Sequence, residues 1–129
     1  MALDIESFRN YCLSLDYVWE DCPFGPDHLV FKIHKKMFAL CSISDFGAIN
    51  LKCEPEQAIE LREAYPDQIK AAWHMNKTHW NTIDAHTLPA QLIQNLTANS
   101  YELVKKSLTK KAKAELAFDN SYKTTNIEP

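Results

Sequence analysis

The sequence contains few of the residues on which several common kinds of site depend. Its 129 residues include only two glycines, and no glycine-rich loop of the phosphate-binding kind occurs. No segment approaches the roughly 20 consecutive apolar residues of a membrane-spanning helix, and the first residues are too acidic for a signal peptide. These absences predict a cytoplasmic protein that makes no use of a membrane.

The four cysteines lack the spacing that is typical of zinc and redox sites. They lie at positions 12, 22, 41 and 53, so no Cys-x-x-Cys pair is present. Cys12, Cys41 and Cys53 occupy apolar positions of their segments, which favours free, buried thiols over a disulfide bond. Cys22 lies in a proline-containing segment and is expected to be exposed. We therefore predict neither a metal site nor a cofactor.

Charge is unevenly distributed along the chain. The net charge of -3 argues against a general coat for nucleic acid. Residues 1–65 carry eleven acidic and six basic side chains, whereas residues 66–129 carry six acidic and eight basic ones. A surface that faces a polyanion should therefore lie in the second half or on the central strands. Because Arg9 and Arg62 are the only arginines, weak backbone contact is expected rather than readout of guanine edges.

Hydrophobic periodicity in the first half predicts a helix followed by antiparallel strands. Asp4 is a candidate N-cap for the helix. Residues 16–27 contain two prolines and a glycine, and we expect only a short extended piece and a turn there. Runs of β-branched and aromatic residues predict a hairpin over 28–33 and 36–43 and a third strand over 48–52. In the second run one face is expected to take Met37, Ala39 and Cys41, and the other Phe38, Leu40 and Ser42.

The second half predicts three further helices. Proline is common in the first turn of a helix, so helices should begin near Pro55 and Pro89. Thr109 is a candidate N-cap for a short last helix. Residues 119–129 carry no hydrophobic pattern and are predicted to be a flexible tail. The length and the 46% hydrophobic content suit one α+β domain over residues 1–118.

Residues 73–83 hold the densest group of side chains that are able to bind a ligand. Two tryptophans, two histidines, a lysine and two asparagines fall within these eleven residues. The composition favours a strand, with an irregular entry at 75–77 and another short strand around Ile69. In an extended chain Trp80 and Thr82 share one face. The opposite face then receives His79, Asn81 and Ile83.

Six short motifs occur in collinear order between Asp4 and Leu116. They are Cys22-Pro23-Phe24-Gly25, Phe31-Lys32, Lys36-Met37-Phe38-Ala39, Leu51-Lys52, the stretch from His74 to Thr82, and Ser100-Tyr101-Glu102-Leu103-Val104. In this combination the chain resembles the MmcQ/YjbR family, and the most specific part is His-x-Asn-Lys-x-His-Trp at 74–80. The chain departs from the family at the hairpin tip, where His34-Lys35-Lys36 replaces the usual Gly-Lys.

The resemblance implies an α-β(3)-α-β(2)-α order, with a five-stranded antiparallel sheet and helices packed on it, similar to the secretion-chaperone and frataxin-like folds. Members of the family are bacterial cytoplasmic proteins that are described as DNA-binding proteins of a double-wing type, largely from comparison of folds. The resemblance therefore predicts a non-enzymatic DNA-binding protein, although a fold alone does not establish a function.

The candidate contacts to nucleic acid are four lysines and their polar and aromatic neighbours. We predict phosphate contacts from Lys32, Lys36, Lys52 and Lys77. Hydrogen bonds and stacking are predicted from His74, Asn76, His79 and Trp80. Each group also has a structural interpretation. Lys32 and Lys52 are more typical of edge strands that resist association than of ligand contacts. Trp80 is equally typical of a core residue, and Asn76 with Lys77 is typical of a turn.

Two other classes of function remain open from the sequence. A protein-interaction or chaperone-like adaptor is favoured by the implied fold and by aromatic residues that can anchor a partner. An enzyme would need His74 and His79 to act as an acid and a base. These histidines lie on opposite faces of an unbroken strand, with no His-Glu-x-x-His or nucleophile motif beside them, so we expect no enzymatic activity.

Overall fold

The computed structural model of the chain describes residues 3–72 and 75–118. Four helices and six strands occur within these ranges. In chain order they are α1 Ile5–Ser14, β1 Val18–Asp21, β2 His28–Ile33, β3 Lys36–Ser42, β4 Ala48–Lys52, α2 Pro55–Ala64, β5 Ile69–Ala71, β6 Trp80–Asp84, α3 Ala90–Ser107 and α4 Lys110–Phe118. None of the helices in this part of the chain is long and apolar enough to cross a membrane. The tail predicted for 119–129 lies outside the described residues.

Helix α1 begins where the sequence predicts. The Asp4 carboxylate accepts a hydrogen bond from the backbone N–H of Ser7 at 2.7 Å, which satisfies one of the free donors of the first turn. Phe8 is fully buried and lies edge-on to Phe31, with the ring centroids 5.7 Å apart. The predicted N-cap and the buried face of this helix are therefore confirmed.

The sheet has six strands in the order β1-β2-β3-β4-β6-β5, and every neighbouring pair is antiparallel. The prediction of five strands is therefore wrong by one. The additional strand is β1, within the segment 16–27 for which only a short extended piece was expected. Four residues are too few for a period-two pattern to stand out from the turns around it. In the folded chain β1 pairs with β2, and Trp19 lies opposite Lys32.

The β2–β3 hairpin closes without a glycine at its tip and contains a bulge below it. His34 takes the glycine's place in a left-handed conformation, with φ 56°. The register shifts between Phe31 and Lys32, so that Lys32 pairs with Met37 and β3 has one extra residue at Phe38. The expected alternation of β3 is therefore wrong at this end, because the bulge turns Phe38 to the core side and Met37 to the other side.

The loops at the opposite end of the sheet are tied together. The Asp27 carboxylate accepts hydrogen bonds from the Ser42 hydroxyl at 2.8 Å and from the Ser44 N–H at 2.7 Å. Gly25, in the same loop, has φ 120°, a conformation that residues with a side chain rarely adopt. Next to it Phe24 is 61% exposed. The loop before β2 therefore exposes the Phe24 ring to solvent, while the hydrogen bonds of Asp27 hold the loop in place.

Helices α1, α2 and α3 lie against one face of the sheet. Phe8 of α1 contacts Phe31, and Tyr101 of α3 packs edge-on against Phe38. Helix α2 accepts a hydrogen bond at the Ala58 carbonyl oxygen from the buried Asn81 side chain. Helix α4 contributes its buried residues to the same hydrophobic core. This face is the inner face, and the opposite face of the sheet is the outer face.

Candidate functional site

Strand alternation separates the predicted binding residues between the two faces. In β6 the exposure alternates, and Asn81 and Ile83 are buried on the inner face. Trp80 and Thr82 are half-buried on the outer face. The predicted facing of this strand is confirmed. Trp80 is therefore not a core residue, and its partner across the sheet is Lys52 of β4.

A row of residues crosses the outer face perpendicular to the strands. Trp19 pairs with Lys32, Lys32 pairs with Met37, and at the other end Lys52 pairs with Trp80. All five side chains are half-buried. We call this set, Trp19, Lys32, Met37, Lys52 and Trp80, the Trp–Lys row. A tryptophan lies at each end of the row, and the neighbour of each tryptophan along the row is a lysine.

Contacts within the sheet and the hairpin hold one end of the Trp–Lys row. The Trp19 indole N–H donates to the carbonyl oxygen of His34 at 2.7 Å. The Lys32 ammonium group lies 5.1 Å from the centroid of the Trp19 ring and 3.2 Å from an oxygen of Asp21. A lysine over an aromatic ring gains a modest cation–π attraction. Both side chains of this end are therefore positioned before any ligand binds.

The other end of the row is fixed through its backbone. The N–H of Lys52 donates to the hydroxyl of Ser100 in α3 at 2.8 Å. The N–H of Trp80 donates to the carbonyl oxygen of Asn76 at 2.9 Å, and the carbonyl oxygen of Trp80 accepts from Ala72 at 3.1 Å. Cross-strand neighbours have β-carbons about 5 Å apart, so the Lys52 and Trp80 side chains leave the sheet side by side.

The next row of the outer face is less accessible. Val30 and Leu40 are buried there although the helices lie on the other side. Asn50 is also buried and accepts a hydrogen bond from the Thr82 hydroxyl across the strands. Lys70 stands exposed at the β5 end. The buried Val30, Leu40 and Asn50 therefore separate the Trp–Lys row from a second accessible part of the face at the loop end, which includes His28 and Ala48.

The segment before β6 is a turn, as one interpretation of the sequence predicts. The Asn76 side-chain oxygen accepts from the N–H of Thr78 at 3.0 Å, a local bond that stabilises turns. Lys77 is exposed, and His79 is half-buried. The carbonyl oxygen of His79 accepts from the N–H of Cys53 at 2.7 Å. The fourth candidate of this stretch, His74, lies outside the described residues.

Lys36 does not join the other candidates. Its ammonium group lies 3.4 Å from both the carbonyl oxygen and the hydroxyl of Ser107, in the last turn of α3. A cation there interacts favourably with the carbonyl end of the helix. Lys36 pairs with the buried Ile33, so it belongs to the inner side. The structure thus brings Lys32, Lys52 and Trp80 to one face and separates Lys36 from them.

Sequence reasoning missed Trp19 as a candidate. Its strand was not predicted, and no local signal links it to a lysine thirteen positions later. Trp19 becomes part of the site only through the β1–β2 register. Asn50, Thr82 and Lys70 were also not named as candidates, although the predicted alternation already put Thr82 on the same face as Trp80.

The thiols are free in the described part of the chain. Cys12, Cys41 and Cys53 are buried, and Cys22 is exposed, which confirms the predicted distribution. Burial raises the pKa of Cys12 and Cys53, and it raises the pKa of Cys41 to about 12. Within residues 3–72 and 75–118 no cluster of three or more His, Cys, Asp and Glu side chains is arranged to hold a metal ion.

The sequence and the fold match proteins from several bacteria. The chain is 35% identical over 108 residues to the uncharacterized protein YbdF of Escherichia coli O157:H7, covering 82% of this chain and 88% of that one. It is 30% identical over 111 residues to the uncharacterized protein YyaQ of Bacillus subtilis (strain 168), covering 75% and 90% of the two chains.

Solved structures agree with these sequence matches. The crystal structure of the Deinococcus radiodurans protein DR2400, of the DUF419 family, superposes with a TM-score of 0.81 at 37% identity, covering 88% of this chain and 87% of that one. A protein from Pseudomonas syringae superposes with a TM-score of 0.65 at 29% identity, covering 78% and 98%. The family model for YjbR matches residues 13–103. The chain therefore belongs to the YjbR family.

Proposed function

We propose that the protein is a non-enzymatic nucleic-acid-binding protein and that it uses the outer face of its sheet. The observation that supports this most is the Trp–Lys row, in which Lys32 and Lys52 lie on one face with a tryptophan next to each. Lysine ammonium groups contact phosphates as point charges, and aromatic rings stack on bases. A surface with both side chains in neighbouring positions suits a ligand that carries both groups.

The local charge supports a polyanionic ligand although the chain as a whole is acidic. The outer face carries Lys32, Lys52 and Lys70, and it carries the carboxylates of Asp21 and Asp84. The Asp84 carboxylate is occupied by hydrogen bonds from the His86 N–H and the Thr87 hydroxyl. Its pKa is lowered by these hydrogen bonds in spite of the opposing effect of burial. Both carboxylates are ionised at neutral pH, so three lysines against two carboxylates leave these five residues with a net charge of +1, which is consistent with modest, salt-sensitive affinity.

The turn before β6 extends this surface. Lys77 is exposed within the turn that Asn76 stabilises, and the turn leads directly into Trp80. In this proposal Lys77 supplies a further phosphate contact, and His79 supplies a hydrogen bond rather than acid–base catalysis. Asn76 keeps the structural role that its bond to Thr78 gives it.

Fluorescence anisotropy with labelled duplex DNA, single-stranded DNA and RNA at about 50 and 200 mM salt tests the proposal, because phosphate contacts are strongly salt-dependent in this range. The double variant Lys32→Glu, Lys52→Glu should lose binding to every nucleic acid. The double variant Lys110→Glu, Lys111→Glu is the matched control, since it makes the same change in net charge at two exposed residues of α4 that are remote in the sequence from the row. Millimolar or weaker binding at low salt by the wild-type protein would contradict the proposal.

A protein partner is the second candidate function, and exposed apolar side chains favour it. Phe24 is 61% exposed and Ile43 is 42% exposed, in the two loops that Asp27 joins. A pre-ordered aromatic ring is a common anchor at protein interfaces. The simplest form of this hypothesis is self-association, which sedimentation velocity over a concentration series measures. The variant Phe24→Ser should weaken it. A monomer at all concentrations would remove that form of the hypothesis.

A further inference from the structure

We infer that the nucleic acid bound by the outer face is single-stranded, with its bases stacked on Trp80 and Trp19 and its phosphates at Lys52 and Lys32. This inference rests on the proposed function and narrows it to one class of ligand. It follows from the order of the side chains along the Trp–Lys row and from their spacing.

The spacing of the row suits a short length of flexible strand. Neighbouring strands of a sheet lie about 4.8 Å apart, so the backbones of Trp19 and Trp80, four strands apart, are separated by about 19 Å. By the same measure Lys32 and Lys52, two strands apart, are separated by about 10 Å. A ligand that crosses the strands therefore meets a ring, a cation, the Met37 side chain, a second cation and a second ring.

A duplex does not satisfy this arrangement. Its bases are paired and stacked inside the helix, so it would present only phosphates to the row and leave both indole rings unused. An unpaired strand exposes the flat face of every base, and base–aromatic stacking is tolerant of sequence. This tolerance of base sequence agrees with the composition of the face. Its cations are lysines and not arginines, and arginine is the residue that most often reads base edges.

Pre-organisation of the row favours binding. The Trp19 side chain is held by its bond to the His34 carbonyl oxygen, and the backbone of Trp80 is held by the hydrogen bonds at the start of β6. Side chains that are already ordered lose less conformational entropy when a ligand binds. Lys32 has to exchange its contacts with Asp21 and with the Trp19 ring for a phosphate. A partly exposed ion pair contributes little to stability, and a cation–π contact contributes only a modest amount.

The test compares a thymidine oligonucleotide of about ten residues, within the site sizes of single-strand binders, with a duplex of equal length. Binding of the single strand should quench tryptophan fluorescence, and the single strand should bind more tightly than the duplex. Trp80→Leu keeps an apolar side chain but removes the ring. It should weaken single-strand binding by about 5- to 150-fold, corresponding to the energy of one stacked base, with little effect on the duplex.

Phe24→Leu is the matched control, because it removes an exposed ring that lies outside the row, and its single-strand affinity should equal that of the wild type. Circular dichroism melting of each variant establishes that it is folded, and Trp19→Phe provides a second variant that keeps an aromatic ring at the other end. Equal affinity for duplex and single strand, unaffected by Trp80→Leu, would overturn this inference and leave the proposed function standing. Absence of binding to any nucleic acid would overturn both.

Discussion

The hydroxyl of Ser100 lies 2.6 Å from the carbonyl oxygen of Phe38 and donates a hydrogen bond to it. The same hydroxyl accepts from the N–H of Lys52. It thereby bridges β3 and β4 at the bulge, where the ladder would otherwise leave two backbone groups without partners. One fully buried side chain of α3 thus fixes the strand that carries Lys52 of the Trp–Lys row.

The variant Ser100→Ala should destabilise the protein by about 1–3 kcal/mol, because it leaves buried backbone groups without hydrogen bonds. Urea unfolding followed by circular dichroism measures the change. Ser14→Ala is a suitable control, since the Ser14 hydroxyl makes its bond to the Tyr11 carbonyl oxygen at an exposed helix end. A loss of stability no larger than that of the control would show that the bridge is unimportant.

Removing the carboxylate beside Lys32 should strengthen nucleic-acid binding. Asp21 holds the Lys32 ammonium group at 3.2 Å, and Asp21→Asn frees that charge for a phosphate. Because ion pairs of this kind are worth at most about 1 kcal/mol, we expect about two- to fivefold tighter binding of single-stranded DNA. Asp67→Asn makes the same change in net charge at an exposed position after α2. An equal gain in both variants would mean that only overall charge matters.

The thiols should differ sharply in reactivity. Burial keeps Cys12, Cys41 and Cys53 from reagents, and it raises their pKa values, to about 12 for Cys41. Because the thiolate is the reactive form, Ellman's reagent at about pH 8 should titrate Cys22 alone in the native protein and all four thiols after denaturation. Cys22→Ser should abolish the rapid phase. Rapid reaction of more than one thiol would contradict the burial of the other three.

The loop contact of Asp27 should make stability depend on acid pH. Hydrogen bonds from Ser42 and Ser44 lower the pKa of Asp27 below the usual 3.8. A lowered pKa in the folded state stabilises the protein above the unfolded-state pKa, and this stabilisation is lost as the pH falls through the folded-state value. The wild type should therefore exceed Asp27→Asn in melting temperature near neutral pH, and the two should converge below about pH 3. A difference that stays constant down to that pH would contradict this.

Local signals in the sequence account for most of the fold. The Asp4 cap, the proline at the start of α2 and the alternation of β6 all act within a few residues, so the sequence shows them directly. The short β1 strand was missed because its stability comes from pairing with β2 rather than from its own composition. Strand number could therefore be predicted only to within one.

The candidate site was predicted less well, because the bulge in the β2–β3 hairpin changes which residues of β3 lie on which face of the sheet. A single extra residue in a strand exchanges the faces of everything beyond it. Unbroken alternation in β3 would put Lys36 on the face of Leu40, whereas the extra residue at Phe38 turns it towards Ser107. Trp19 and Lys32 likewise become neighbours only through the register of β1 with β2. The lysines that the sequence left open between edge protection and binding, Lys32 and Lys52, lie on interior strands, which removes the edge interpretation for them.

The two outermost strands have a consequence for how the protein behaves at high concentration. Strand β1 has four residues and β5 has three, and Lys70 occupies the middle of β5. Edges this short, one of them charged, offer a poor template for another chain to extend the sheet. In the part of the chain that the structure describes, a broad sheet surface is therefore left without helices and without the long edge strands that promote aggregation.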